Sequence, residues 1–134
     1  MRLPTILLAV TLVATAGLAL AASPVRQAIL DGYAKEAGVA AFSAERGKAF
    51  FEASHAGGKP ETPSCTTCHG MDPRMPGRTR AGKAIEPMAV SANPKRFTDS
   101  AFVEKWFKRN CDSVLGRPCS AAEKGDLIAY LSSL

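Results

Sequence analysis

The chain has 134 residues, 46% of them hydrophobic, with 17 Lys and Arg against 12 Asp and Glu and a formal net charge of +5. That length accommodates one domain. The positive charge is scattered, with no long basic run and no interleaving of aromatic and basic residues, which excludes a nucleic-acid-binding signature.

The N-terminus reads as an export signal. Arg2 is followed by an apolar or small run from Ile6 to Leu20, and Ala19-Leu20-Ala21 has the small-x-small form of a cleavage site. The run is shorter than the ~20 residues that favour a spanning helix. Cleavage after Ala21 is expected to leave residues 22–134 as one domain in the periplasm, an oxidising compartment where disulfides persist.

The first predicted helix runs from Pro24 to Ala37, with Ser23 as N-cap, Pro24 in its first turn and Gly38 as its stop. Val25, Ile29, Leu30 and Tyr33 fall at helical spacing. A second helix is expected from Ala44 to His55, capped by Ser43, with Phe50, Phe51 and Ala53 as its apolar content. The stretch from Lys59 to Pro94 is rich in Gly, Pro and basic residues and reads as loop with one short helix. Loops this long inside a compact domain usually serve function or wrap a cofactor.

A third helix is predicted from Asp99 to Asn110, with Thr98 as N-cap. Phe102, Val103, Trp106, Phe107 and Asn110 share one of its faces. The last helix follows Ser120, which forms a capping box with Glu123. Leu127, Tyr130 and Leu131 make its buried stripe, with Ile128 beside it. No segment alternates with period two, so the fold class is all-α.

Cys65-Thr66-Thr67-Cys68-His69 carries the chemistry. A Cys-x-x-Cys-His run is the attachment site of a c-type haem. The two thiols add to the haem vinyl groups, and the adjacent imidazole falls on one axial side of the iron. A thioredoxin-like pair requires a βαβ context that this sequence lacks. A zinc site requires four ligands, and Cys111 and Cys119 stand at the wrong spacing for a zinc knuckle. The expected cofactor is one covalent haem c.

Cys111 and Cys119 flank a short segment between the last two helices and read as a disulfide, with two free thiols as the alternative. The bridge is worth about 2–3 kcal/mol by loop entropy. Four basic residues, Arg74, Arg78, Arg80 and Lys83, follow the haem motif. They are candidates for holding haem propionates or steering an acidic partner.

The sixth iron ligand decides the function, because a vacant or weakly held position binds small molecules. Met71 and Met75 are too close to His69 to reach the opposite face. His55, ten residues before Cys65, is the candidate for a bis-histidine haem, but it stands beside a glycine-rich turn and reads as a helix-end surface residue. Met88 is geometrically feasible. Asn110 ends an apolar helix face, where a buried amide needs a partner. From the residues alone, Met88 and Asn110 remain contenders, and a helix C-terminal position is the plain reading of Asn110.

Gly47 and Phe51, four apart ahead of the haem motif, resemble the glycine–aromatic first helix that crosses an aromatic last helix in class I cytochromes c. More specifically, five runs resemble the sphaeroides haem protein (SHP) family of class I cytochromes. They are Thr62 to Gly70, Arg96-Phe97-Thr98-Asp99-Ser100, Glu104-Lys105-Trp106, Arg109-Asn110-Cys111 and Glu123-Lys124. That resemblance implies Asn110 as sixth ligand of the oxidised haem, leaving on reduction so that oxygen or nitric oxide can bind. It implies a Cys111–Cys119 disulfide, and a dihaem cytochrome or a membrane cytochrome b as redox partner. An amide is a hard donor that suits ferric better than ferrous iron, so the redox dependence is physically reasonable. An ordinary Met88-ligated electron carrier is the alternative. A haem oxygen or nitric oxide reductase component ranks lower, because no proton donor is evident beside the iron. A monomer is the default.

Overall fold

The computed structural model describes residues 23–134, and the expected export signal lies outside the described residues. Among these residues five helices carry the fold: α1 Pro24–Ala37, α2 Ala44–Glu52, α3 Thr66–His69, α4 Ser100–Leu115 and α5 Ala121–Ser132. Between α3 and α4 a small hairpin pairs β1 (Gly77–Arg78) antiparallel to β2 (Ala84–Ile85), with Gly77 opposite Ile85. Strands of two residues leave the class all-α.

Local chemistry explains most helix ends. The Ser23 hydroxyl accepts from Arg26 N–H and Gly38 closes α1 at φ 66°. Ser43 caps α2 by accepting from Arg46 N–H. Both halves of the Ser120–Glu123 capping box are present at the start of α5.

Two ends differ from expectation. Helix α2 stops at Glu52, before His55, because the chain turns extended at Ala53 (ψ 149°). His55 N–H then bonds Pro63 O at 2.7 Å instead of continuing the helical ladder. Helix α4 is capped by Asp99, whose carboxylate accepts from Phe102 N–H at 2.9 Å. The Thr98 hydroxyl donates back to Lys95 O. Helix α4 also continues past Asn110 to Leu115, since Cys111, Val114 and Leu115 extend its buried stripe, and Gly116 ends it at φ 66°. Asn110 is therefore an interior helical residue and not a C-terminal one.

The core is built where α5 packs on α1 and α2. Phe51, Ile128 and Leu131 lie fully buried there. The α2–α5 crossing is close enough that a Cβ on Gly47 would lie 2.0 Å from Asp126 O. The same crossing buries Asp126, which accepts from Arg46 Nε at 2.7 Å and from Ser43 N–H at 2.7 Å. On α1, Ile29 and Tyr33 are buried, but Val25 is exposed and Arg26 is buried in its stead. The Arg26 guanidinium offsets its burial by donating to Pro94 O and Arg96 O, at 3.0 and 2.8 Å. A disulfide joins Cys111 in α4 to Cys119 just ahead of α5, with the Cα atoms 5.5 Å apart.

Candidate haem site

A cavity of about 600 Å³ opens between α3, the hairpin and α4. Cys65, Cys68 and His69 lie in its wall, along with Met88 and Asn110. The size is typical of a pocket for a bulky organic ligand.

Ser64 sets up the wall that carries His69. Its buried hydroxyl accepts from Thr66 N–H at 3.2 Å and donates to Phe51 O at 3.3 Å, so the single turn of α3 is tied to the end of α2. The Phe51 ring lies 6.4 Å from the His69 ring, centroid to centroid. The hairpin rests on the other side of α3. A Cβ on Gly77 would stand 2.3 Å from Cys68 O and 2.9 Å from His69 Cα. Only glycine permits that approach.

Electrostatics separate a haem site from a redox thiol pair. Burial pushes the Cys65 thiol up to about 11, whereas a redox thiol pair needs a thiolate stabilised near neutral pH. Burial, and then the charge of Arg96, press the His69 imidazole down to about 4. It is therefore neutral at physiological pH, as a metal ligand must be. Its Nδ1 is buried with no protein partner among the described residues. The ring lines the cavity, so its other nitrogen, Nε2, is the one that would bond haem iron. Cavity, thiol pair and neutral imidazole together fit one covalently attached haem.

The opposite wall is α4. Val103 and Phe107 are buried in it, and Asn110 lies one turn beyond Phe107 on the cavity side. Phe102 and Trp106 also line the cavity but are 49% and 39% exposed, so this wall reaches the surface. The other methionines and His55 drop out. Met71 and Met75 are 67% and 60% exposed. The His55 ring packs at a tilt against Phe50, its Nε2 lying 3.1 Å from Phe50 O, and does not line the cavity.

The four basic residues after the haem motif divide into two groups. Arg74 pairs with Asp72 and Arg80 with Glu61, while Arg78 donates to Gly82 O. Of the four, Lys83 alone lines the cavity, joined there by Lys95 and Arg96. Arg96 is braced by Pro87 O, which accepts from its Nε at 2.8 Å. Next to it, buried Phe97 adopts φ 61°, a left-handed conformation that a bulky residue rarely takes. Arg96 has no local sequence pattern to mark it as a wall residue. Its position is set by contacts with Arg26, seventy residues away.

Residues 37–131 match a family described as a domain of unknown function (DUF1924). The cytochrome c-type protein SHP of Cereibacter sphaeroides is 55% identical over 118 residues, spanning 88% of this chain and 91% of that protein. This chain belongs to the SHP family of c-type cytochromes. A solved structure of oxidised SHP, described as an oxygen-binding cytochrome c, superposes with a TM-score of 0.78 at 55% identity. The superposition covers 81% of this chain and 96% of that one. Cytochrome c'' of Methylophilus methylotrophus, whose solution structure concerns haem-ligand detachment, superposes at 0.66 with 34% identity. That match covers 79% of this chain and 90% of the other. The SHP fold is that of a class I cytochrome c, all-α around one covalent haem c.

Within this SHP-type chain, Cys65 and Cys68 would carry the thioether links and His69 one axial bond. Met88 and Asn110 both reach the cavity. They differ in where their backbones are held. Met88 N–H bonds Pro73 O at 2.8 Å, so Met88 sits on the stretch that follows and supports His69. Asn110 comes from α4, which packs on α1 instead.

Proposed function

We propose that the protein is a periplasmic monohaem cytochrome that accepts electrons and, once reduced, binds a diatomic ligand, oxygen or nitric oxide. Cys65 and Cys68 anchor the haem covalently, His69 holds the iron from one side, and Asn110 closes the other side in the oxidised protein. On reduction Asn110 withdraws and leaves a small pocket walled by Val103 and Phe107. The bound haem supplies the redox centre; the chain supplies anchoring, a neutral imidazole and a removable amide.

The observation that carries this reading is the place of Asn110. It is an interior residue of α4 on the cavity wall, among buried apolar neighbours. The residue is half-buried and lines the cavity, where the iron would be a partner for its amide. The oxygen binding stated for the SHP structure supports the same reading. An Asn110→Ala variant is expected to be open in both redox states. Visible spectra of the oxidised and reduced protein, followed by carbon monoxide, test this. An unchanged ferric spectrum in the variant overturns it.

Met88 supports a second reading, since it too lines the cavity. A far-red methionine band and a ferrous form indifferent to carbon monoxide would make the protein a simple electron carrier. Partner and location belong to the same proposal. A dihaem cytochrome or membrane cytochrome b delivers the electron, and residues 1–21 are removed on export. Partner reduction rates that ignore ionic strength argue against steering by the basic surface. A retained Met1 in the mature protein argues against export by cleavage. The protein is expected to sediment as a monomer.

A further inference from the structure

Behind the Phe107 wall lies a cluster that the proposed function leaves unused. Glu104, on the back of α4, accepts a hydrogen bond from the Tyr33 hydroxyl of α1 and one from Lys124 Nζ of α5, the latter at 2.8 Å. One carboxylate thus ties together three helices. The Lys124 side chain is only 16% exposed. Its ammonium lies 5.2 Å from the Tyr33 ring centroid and 5.9 Å from that of Phe107. The Tyr33 ring meets Phe107 edge-on at 6.3 Å. Phe107 is a cavity-wall residue, one turn before Asn110. Glu104 therefore supplies the counter-charge of a cation held against the far side of the wall that carries Asn110.

Helix α4 has few other constraints at this level. It meets α1 lightly, and its firm covalent tie, Cys111–Cys119, lies at the opposite end. We infer that Glu104 is a positioning residue, which, through Tyr33 and Lys124, sets the distance of α4 from the haem and so the hold of Asn110 on the oxidised iron. This rests on the proposed role of Asn110. Without the carboxylate, Lys124 is left charged against two aromatic rings. It must swing out to water, and Phe107 loses the support that fixes its turn.

The test measures imidazole binding to the ferric holoprotein and carbon monoxide binding to the ferrous one. Imidazole must displace Asn110, while carbon monoxide meets a position already vacated. Glu104→Gln should raise ferric imidazole affinity by up to about fivefold, the ceiling for loss of one half-exposed charge-assisted bond. Carbon monoxide association should stay at the parental rate. Adding Lys124→Met, which removes the stranded charge, should restore ferric affinity most of the way. Tyr33→Phe should shift it in the same direction as Glu104→Gln, by less. Parental imidazole affinity in both Glu104→Gln and Tyr33→Phe overturns the inference. So does a matching rise in carbon monoxide rate, which would mean general loosening. Asn110→Ala, measured alongside, separates the two levels. If it too binds imidazole like the parent, the ligand assignment itself has failed; if it opens the ferric iron while Glu104→Gln does nothing, only the positioning role has.

Discussion

The two sides of the cavity are built differently. On the His69 side, α2 and α5 cross with backbone against backbone at Gly47, and the buried Asp126 joins Arg46 and Ser43 across the crossing. Ser64 and Gly77 then lock the haem-motif turn between α2 and the hairpin. On the Asn110 side, α4 has a half-exposed aromatic edge; its C-terminal end is fixed by the disulfide, by Lys59 N–H on Ser113 O and by close backbone contact with Gly57 and Gly58, whereas its N-terminal half is held by the carboxylate cluster and a few buried side chains. Close packing permits little displacement without loss of many contacts. The N-terminal half of α4, away from these close contacts, can shift at smaller cost than the crossing. Such a division suits a haem with one permanent and one removable ligand.

If this division is right, damage to the crossing should appear in stability alone, and damage to α4 should reach ligand chemistry as well. The largest effect is expected from Gly47→Val. Its side chain would collide with Asp126 O and the Tyr130 side chain, so the helices must separate. A loss of about 3 kcal/mol, or failure to fold, is expected in denaturant titration. Parental stability would mean that the crossing is not the rigid half. Next comes replacement of both Cys111 and Cys119 by Ala. Loop entropy predicts a loss of about 2–3 kcal/mol, read from the same titration with the parent kept oxidised.

Asp126→Asn should cost about 1–2 kcal/mol, because its partners Arg46 and Ser43 N–H lose a charged acceptor. The ferric spectrum should stay parental, since the change lies on the permanent-ligand side and Asp126 itself does not line the cavity. A changed spin state there would blur the distinction between the two sides.

The smallest effect concerns pH. Burial alone would raise the Glu104 pKa, but hydrogen bonds from Lys124 and Tyr33, together with the Lys124 charge, outweigh it and hold the carboxyl below its ordinary value. The stabilisation is therefore complete above the unfolded value of ~4.3 and is lost as pH falls through the lower folded value. Glu104 is half exposed, so the amount is less than about 1 kcal/mol. The groups around it are Tyr33 and Lys124, with Glu36 close enough to affect Tyr33. Melting temperatures measured downward from pH 5 should fall less steeply in Glu104→Gln than in the parent. Parallel curves would remove Glu104 from the acid response.

What the sequence determined by itself is what local chemistry controls. Ser23, Ser43 and Ser120 start helices because a side-chain oxygen satisfies N–H groups a few residues on. The haem motif is legible because thiols and imidazole adjacent in the chain must meet one macrocycle. The helical stripe of Leu127, Tyr130 and Leu131 foretold a buried face, and the structure buries all three. The end of α2 and the extension of α4 were set instead by partners brought from elsewhere, Pro63 for the one and the buried stripe at Cys111, Val114 and Leu115 for the other. Tertiary structure alone decided which basic residues turn inward. Arg74 and Arg80 found carboxylates outside the cavity, while Arg96 was drawn into its wall by the carbonyls of a loop that Arg26 holds. It alone brought Tyr33, Glu104 and Lys124 together. Those three lie on separate helices, and their meeting depends on how the helices cross, which no spacing within one helix encodes.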